Sequence, residues 1–515
     1  MKHLLSKILI GSFCIGTTFS TISCEDALET KVHGQIEPTS FFNTKADLES
    51  AVIGVSIYLA ERGAGKCDAL WSAHYVSYFM SGLYCTDELQ NSFGGDPKRL
   101  DRFEWTPAQS GVTNTYNLIS TCAQITDLIS IFESNTKVDR ESINRYIGEL
   151  KALRAQYMYT LYDFFGPVNV KLDPTTLTDE TPMPRLSDEE YCKALLQDIN
   201  DALASPLEER HSPSSELWGR MSKDVVRMVK LRYHMHQKEW NEAEIVCREL
   251  TAVGYELQKN YEDIFNIAGN KEVIFGCPGD TKYGSIWPTE VCPAGYSTQE
   301  SSAGTMMLGW DYCYMPWDHF HKMYGHEGEP SYDNDTRVKT FMTEFITFSG
   351  VTKKESPDLN NPKEVKLNGV IPIKFTDWHK YQFIEFPIEQ TVYRLAEVKL
   401  SLAETIVRQK GITLEAIDEV ADIRERAGLG RELPQDVTSS KEEFLNFLLD
   451  ERSRELYCEG QRREDLIRFD KFIKRAQEQG KTSAKDYMTL FPIPNDVVLQ
   501  GNGIITQNSG YPKPE

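Results

Sequence analysis

The strongest constraint on the fold is a run of apolar residues spaced three and four apart, renewed through the first half of the chain. Between about 112 and 135 these are Tyr116, Ile119, Cys122, Ile125, Ile129 and Phe132, and the next segment carries Ile147, Leu150, Leu153, Tyr157, Leu161 and Phe164. That period lays one apolar stripe on each of two helices. Gly166-Pro167 stops the second, because proline supplies no amide donor. Ser187 with Glu190 predicts a capping box opening a third helix along Tyr191, Leu195, Ile199 and Ala202. Two more helices are expected near 222–236 and 239–252. Helices joined by short turns must lie antiparallel, and successive pairs of about 34 residues are how tetratricopeptide-like arrays stack.

Past Gly254 the period fails. Residues 265–390 hold many Gly and Pro, isolated aromatics and short β-prone pieces such as Glu272–Phe275, the pattern of long loops with small strands. Helices then return. Residues 391–409 bear two apolar stripes (Leu395, Val398, Leu402, Ile406 and Ala396, Leu400, Ala403, Val407), which predicts a helix packed on two sides. A partner is expected from Thr413 to Ala427, closed by Gly428 where a left-handed cap favours glycine. Ser440 and Glu443 box the start of another, from 441 to about 459. The predicted organisation is a helical array over about 38–260, a loop-rich region over 261–390, and C-terminal helices with a closing segment over 391–515.

With 40% hydrophobic and 26% charged residues among 515, the chain can bury a large core, which excludes wholesale disorder and a single small module. Its formal charge of -21 leaves no basic stripe, so a nucleic-acid partner is not expected. The amino terminus has Lys2 and Lys7, an apolar stretch from Ile8 to Phe19 and small residues before Cys24. This is the layout of a signal peptide over 1–23, too short to span a bilayer. Thr21-Ile22-Ser23-Cys24 resembles the lipobox of bacterial lipoproteins, with Thr21 in the place of the usual Leu, which implies lipidation of Cys24. Glu25 and Asp26 resemble the export tag of surface lipoproteins in Bacteroidetes. Loss of the leader takes the formal charge from -21 to -23, and the lipid is the one membrane contact expected. The 11 cysteines include no C-x-x-C, so structural zinc and thioredoxin-type redox chemistry are not expected. A bridge among Cys277, Cys292 and Cys313 is open on sequence grounds; buried thiols are the default for the rest.

Four ordered motifs carry a family resemblance: YRLAEVKLSLAET (393–405), DIRERAGL (422–429), FLLDERSRELYCEGQRREDLIRF (447–469) and LFPIPNDVV with QNSGY (490–511). In the amino-terminal half YIGELKALRAQYMYTLYDFFGPV (146–168), YCKALLQDINDALASPL (191–207) and NKEVIFG (270–276) agree. Together they resemble the SusD/RagB family of nutrient-uptake lipoproteins, over essentially the whole mature chain. Lys399 departs from the usual Tyr, and Gln461 with Arg462-Arg463 from a common His-Arg-Trp run. The resemblance implies an all-α-dominated, tetratricopeptide-like superhelix with an inserted ligand region, residues 24–515 forming one large domain. It implies a non-enzymatic, cofactor-free protein that captures an oligosaccharide or, in some members, a peptide at the outer face of the outer membrane. Its expected partner is a SusC-like TonB-dependent transporter, which it covers as a lid.

The residues themselves fit binding better than catalysis. Glu451, Arg452, Arg454, Glu455, Glu459, Arg462, Arg463 and Asp465 place opposite charges three or four apart on a helix and its continuation, which reads as a lock between helices. No G-x-S-x-G, P-loop or dinucleotide fingerprint is present. His319, His321 and His326 read as a loop HxH without a nearby carboxylate, so no metal is expected, and His234 and His236 fall on different helix faces. A sugar receptor needs flat aromatic platforms edged by amides or carboxylates, set on loops. One suitable stretch is 67–96, where Tyr84, Asp87, Asn91 and Phe93 approach a Gly-Gly turn; the other is 283–324, with Trp287, Tyr296, Trp310, Tyr312, Trp317 and Tyr324. The expected ligand contacts are Trp287, Tyr296, Trp310, Tyr312, Asn91 and Phe93. Trp71, Tyr75 and Tyr78, spaced four and three, read as helix-borne core, and Trp218 and Trp240 as structural. A surface glycosidase and a helical-repeat adaptor that binds only protein stay open as rivals.

Overall fold

A computed structural model describes residues 41–60, 69–92, 94–279, 287–293, 296–298, 305–306, 313–374 and 389–514. Cys24, Phe93, Trp310 and Tyr312 lie outside these residues. The chain from Asn43 onward is one compact unit.

The amino-terminal helices are α1 (Lys45–Ala60), α2 (Tyr78–Tyr84), α3 (Asp96–Asp101), α4 (Ser110–Tyr116), α5 (Leu118–Ser134), α6 (Arg140–Phe165), α7 (Asp188–Ala204), α8 (Lys223–His236) and α9 (Trp240–Ala252). The helix expected over 112–135 is broken at Asn117, whose N–H reaches back to the carbonyls of Thr113 and Asn114 at 3.1 and 3.2 Å. Asparagine competes poorly within a helix and well at its ends, which accounts for the break. Asp139 Oδ1 caps α6 by accepting from Ser142 N–H at 2.9 Å. The capping box of α7 is formed: Ser187 Oγ accepts from Glu190 N–H (3.2 Å) and Glu190 Oε2 from Ser187 N–H (3.0 Å). α5 packs on α6, α6 on α7, α7 on α8 and α8 on α9. Along α6, Leu150, Leu153, Tyr157, Leu161 and Phe164 are wholly buried, each such side chain contributing about 1.5–3 kcal/mol. A fork of two hydrogen bonds at 2.7 and 2.8 Å from Arg154 to Asp198 ties α6 to α7.

The spacing of Trp71, Tyr75 and Tyr78 does not mark one helix. Residues 71–77 form turns, and α2 starts at Tyr78, where Ser77 Oγ accepts from Met80 N–H at 3.0 Å. Trp71 and Tyr78 are core nonetheless; Tyr75 is half-buried.

A second difference lies where the array resumes. Residues 390–394 form a strand, not the first turn of a helix: β2 (Val273–Cys277) pairs antiparallel with Gln390–Arg394, Cys277 facing Gln390 and Val273 facing Arg394. The run Thr391-Val392-Tyr393 is β-branched and aromatic and fully buried, which favours the pleated ladder over a helix. Helix α10 (Leu395–Lys410) begins directly after it, and both of its predicted apolar stripes are buried. α10 packs on α9 and on α11 (Leu414–Arg426), so the array continues across the insertion. Gly428, at φ +89°, follows α11; a Cβ there would stand 2.4 Å from Asn334 O, so both backbone sign and space require glycine. α12 (Lys441–Leu456) ends three residues before the expected limit, and α13 spans Arg462–Arg468.

The charged run of α12 and α13 turns inward. Arg394 donates to Glu459 (2.7 Å), Glu272 (2.7 Å) and Glu455 (2.5 Å), and all four groups are within 1% of complete burial. Arg337 bonds Asp335 at 2.7 Å and Glu451 at 2.8 Å, and Lys374 bonds Glu459 and the Tyr457 carbonyl at 2.6 Å each. Burial alone would raise the Glu451 carboxyl, but Arg337, Arg454 and Arg424 hold it at about 2. On the other side of α12, Arg462 forks onto Asp87 at 2.6 and 2.7 Å. Beside it burial pushes Glu88 up to about 8 against the pull of Arg462. Cys277, Cys292 and Cys313 are separate buried thiols, so the bridge left open by the sequence is not formed among them.

Candidate functional site

The inserted region reaches the scaffold as a four-stranded antiparallel sheet in the order β1 (Gln90–Asn91), β3 (Cys313–Pro316), Gly369–Pro372 and Phe341–Met342. Strand β3 alternates strictly. Cys313 and Met315, each 1% exposed, face the core, while Tyr314 and Pro316 stand half-buried on the other side. Gln90 lies directly across from Tyr314, and residues facing each other on neighbouring strands project from the same face. Gly369 pairs with Pro316, and a Cβ on it would fall 2.3 Å from Tyr314 Cδ2. The tyrosine ring therefore lies against bare backbone, which only glycine permits. The result is an aromatic group and a carboxamide side by side on one sheet face.

Past Asn91 the chain enters α3, and Lys98 reaches back to donate to Asn91 O at 3.0 Å. Next to Gln90 opens a polar cavity of about 370 Å³, whose walls include Lys98, Asp101 and Arg102 on one side and Gln479 and Lys481 on the other. Lys481 is buried, donating to Thr86 O at 3.1 Å and pairing with Asp101 at 3.1 Å.

Pro316 is followed at once by a helix over Trp317–Tyr324, where the sequence suggested loop. Trp317 donates from Nε1 to Leu367 O at 2.9 Å, and its ring stacks on His321 (5.4 Å, 20°), which stacks on His326 (4.0 Å, 23°). His321 Nε2 meets Glu355 at 3.0 Å, so a carboxylate does stand beside this pair. His319 points the other way into the core, against Ser453 Oγ at 3.1 Å. Among the described residues no group of three or more His, Cys, Asp or Glu is placed to hold a metal.

Two of the expected ligand contacts are overturned by burial. Trp287 is 1% exposed and packs 6.1 Å from the Phe79 ring; it opens the short helix Trp287–Val291, whose side the core covers. Asn91, also 1% exposed, faces inward on β1 and donates to Cys313 Sγ at 3.6 Å. Neither presents a surface to a ligand. Tyr296 is half-buried, bridged to Thr347 with its ring edge-on to Phe345 at 6.1 Å. Tyr324 is core, its hydroxyl donating to Arg454 O at 2.9 Å. The sequence reading missed Tyr314 and Gln90. The signal was the alternation in Cys-Tyr-Met-Pro at 313–316, four residues of period two ending in a proline.

A family model described as "SusD family" matches residues 283–511, from the inserted region through the closing segment. Over that part the chain is similar to the SusD family. Among its relatives, SusD-like protein P38 of Formosa agariphila is 26% identical, aligned over 88% of this chain and 89% of its own length. The starch-binding protein SusD of Bacteroides thetaiotaomicron is 24% identical over 99% of both chains. The fold also superposes on surface glycan-binding protein A from Bacteroides thetaiotaomicron, solved in complex with laminarihexaose. That match has a TM-score of 0.69 at 20% identity and covers 90% of this chain and 99% of the other. Both β3 and Gly369 fall inside the family match, whereas Gln90 and the cavity wall at α3 lie before it.

Proposed function

We propose that this protein captures an oligosaccharide or polysaccharide at the cell surface, does not cleave it, and passes it to a SusC-like TonB-dependent transporter. The observation that carries the reading is Tyr314 placed across from Gln90 at the edge of a polar cavity. A sugar ring offers a CH-rich face to an aromatic side chain and hydroxyls to amide and charged groups beside it. Relatives named for starch and laminarihexaose binding support the ligand class. A glycosidase needs two carboxylates about 5–10 Å apart, free to act across a cleft. The acids that dominate the C-terminal motifs, Glu451, Glu455 and Glu459, are instead buried and paired with Arg337, Arg394 and Lys374. The protein is anchored by lipid at Cys24 to the outer face of the outer membrane, and no helix among the described residues is long and apolar enough to cross a membrane.

The test is affinity electrophoresis of the chain lacking residues 1–24 through gels containing plant, host and microbial polysaccharides, with chromatography of any bound glycan after incubation. Retardation on at least one gel without shorter products is expected. Steady release of shorter products would make it an enzyme, and free migration through every gel would favour a protein-binding adaptor. Separately, Cys24→Ala is expected to move the protein out of the membrane fraction.

A further inference from the structure

We infer that the glycan taken at this face is acidic, its carboxylate or sulfate groups being read by the cavity between Gln90 and Arg102. This rests on the glycan reading above and adds the chemical class. In a chain with a formal charge of -21, the cavity carries Lys98, Arg102 and Lys481 against Asp101 and Glu104. Asp101 is shared by both lysines, with its oxygens 3.3 Å from Lys98 Nζ and 3.1 Å from Lys481 Nζ. One carboxylate between two ammonium groups leaves a positive charge over. The other partners of these lysines, Asn91 O at 3.0 Å and Thr86 O at 3.1 Å, fix their positions without neutralising them.

Arg102 is exposed, and among the described residues it forms no ion pair, with Glu104 or with any other acid. Its guanidinium is the group suited to clasp a carboxylate or sulfate through two parallel bonds. Gln479 adds an acceptor. Its Oε1 is shielded from solvent and has no donor among the described residues, while its Nε2 is held by Asp87 O at 3.4 Å. A buried acceptor left without a donor is costly, and a sugar hydroxyl entering the cavity supplies one. A polar wall with surplus positive charge and an open acceptor suits a hydroxylated anion better than a neutral chain.

The test is calorimetric titration of the full chain and its Arg102→Gln variant with three probes: a neutral laminarin hexasaccharide, an oligogalacturonate and a chondroitin sulfate oligosaccharide. The parent is expected to bind at least one acidic probe, more weakly as salt rises from about 20 to 300 mM. Arg102→Gln is expected to bind that probe about 5- to 10-fold more weakly, to lose most of the salt dependence of that binding, and to keep the parent's melting temperature. Which acidic probe binds distinguishes carboxylate from sulfate. Binding of the neutral probe alone, or an acidic probe bound equally by both proteins, overturns the inference and leaves the glycan reading standing. Binding of no probe here and no retardation on any polysaccharide gel overturns both.

Discussion

On the helical side Arg394, Glu451, Glu455, Glu459, Arg462 and Arg463 point into the protein and find partners there, whereas on the sheet that carries β3 the polar and aromatic groups of one face stop half-way out. Arg394, with its three carboxylates, is sealed from water; Tyr314 and Gln90 share a face that is half open. The two regions are joined by the same chemistry. Arg337 and Lys374 come from the inserted region, both fully buried, and end on Glu451 and Glu459 of the helical side. Buried charge thus joins segments distant in sequence, and the half-exposed aromatic surface is where the glycan is proposed to bind. Breaking the first should cost stability; breaking the second should cost binding alone.

The largest effect is expected at Arg394. Replacing it by Met leaves Glu272, Glu455 and Glu459 facing each other without their shared cation, and removing one partner of a buried pair costs about 3–5 kcal/mol. Urea unfolding of Arg394→Met should show a loss at or above the top of that range; a loss below about 1 kcal/mol would mean that the network is not what joins the regions. Trp287→Ala comes next. A buried tryptophan cut to alanine costs about 3–5 kcal/mol through lost contacts and a cavity, so this variant should unfold earlier while any folded fraction binds glycan as the parent does. Lost binding with unchanged stability would return Trp287 to the ligand surface.

A smaller, pH-dependent effect is expected at Glu88, which accepts from Ser453 Oγ at 3.0 Å and from Cys458 N–H at 3.1 Å. Burial raises its pKa from an ordinary 4.5 to about 8, with Asp87 adding to the rise and Arg462 opposing it. A carboxyl whose folded pKa is raised favours folding fully below its unfolded value, and that contribution is lost as pH climbs through the folded value. Between pH about 5 and 8 the parent should therefore lose stability relative to Glu88→Gln, which cannot ionise and whose carboxamide oxygen can still accept from Cys458 N–H while its NH2 turns to the Ser453 hydroxyl oxygen. The gap between the two should change by roughly 3–4 kcal/mol, measured as denaturant midpoints at several pH values. Parallel curves would show that Glu88 is ionised throughout.

Much of the helical side was legible because its period is long and its caps are chemical: the box at Ser187–Glu190 and the stop at Gly166 both form as read. The strand at Gln390–Arg394 was hidden because its residues run straight into an amphipathic helix, and what makes them a strand is a partner more than a hundred residues upstream. The site was harder for a related reason. An aromatic in a loop-like stretch gives no sign of which way it faces, so Trp287 and Asn91 were expected at a surface that the sheet and core deny them. Tyr314 was missed because four alternating residues are a weak signal until β1 and Gly369 are seen on either side.

The smallest effect bears most directly on the comparison. Tyr314→Ala removes the ring over Gly369 but leaves Cys313 and Met315, the inward residues of the same strand, untouched. Being half-buried, the ring contributes less to folding than Trp287, so the melting temperature should move by only a few degrees. As a platform for a sugar ring, its removal should weaken glycan binding by about 1–2 kcal/mol, or roughly 5- to 30-fold in Kd. Gln90→Ala should act in the same direction and more weakly, because a single neutral hydrogen bond contributes about 1 kcal/mol. If Tyr314→Ala instead unfolds the protein as Trp287→Ala does, the sheet face belongs with the core, and the division between an ion-locked scaffold and a receptive insert must be redrawn around Tyr296 and Trp317.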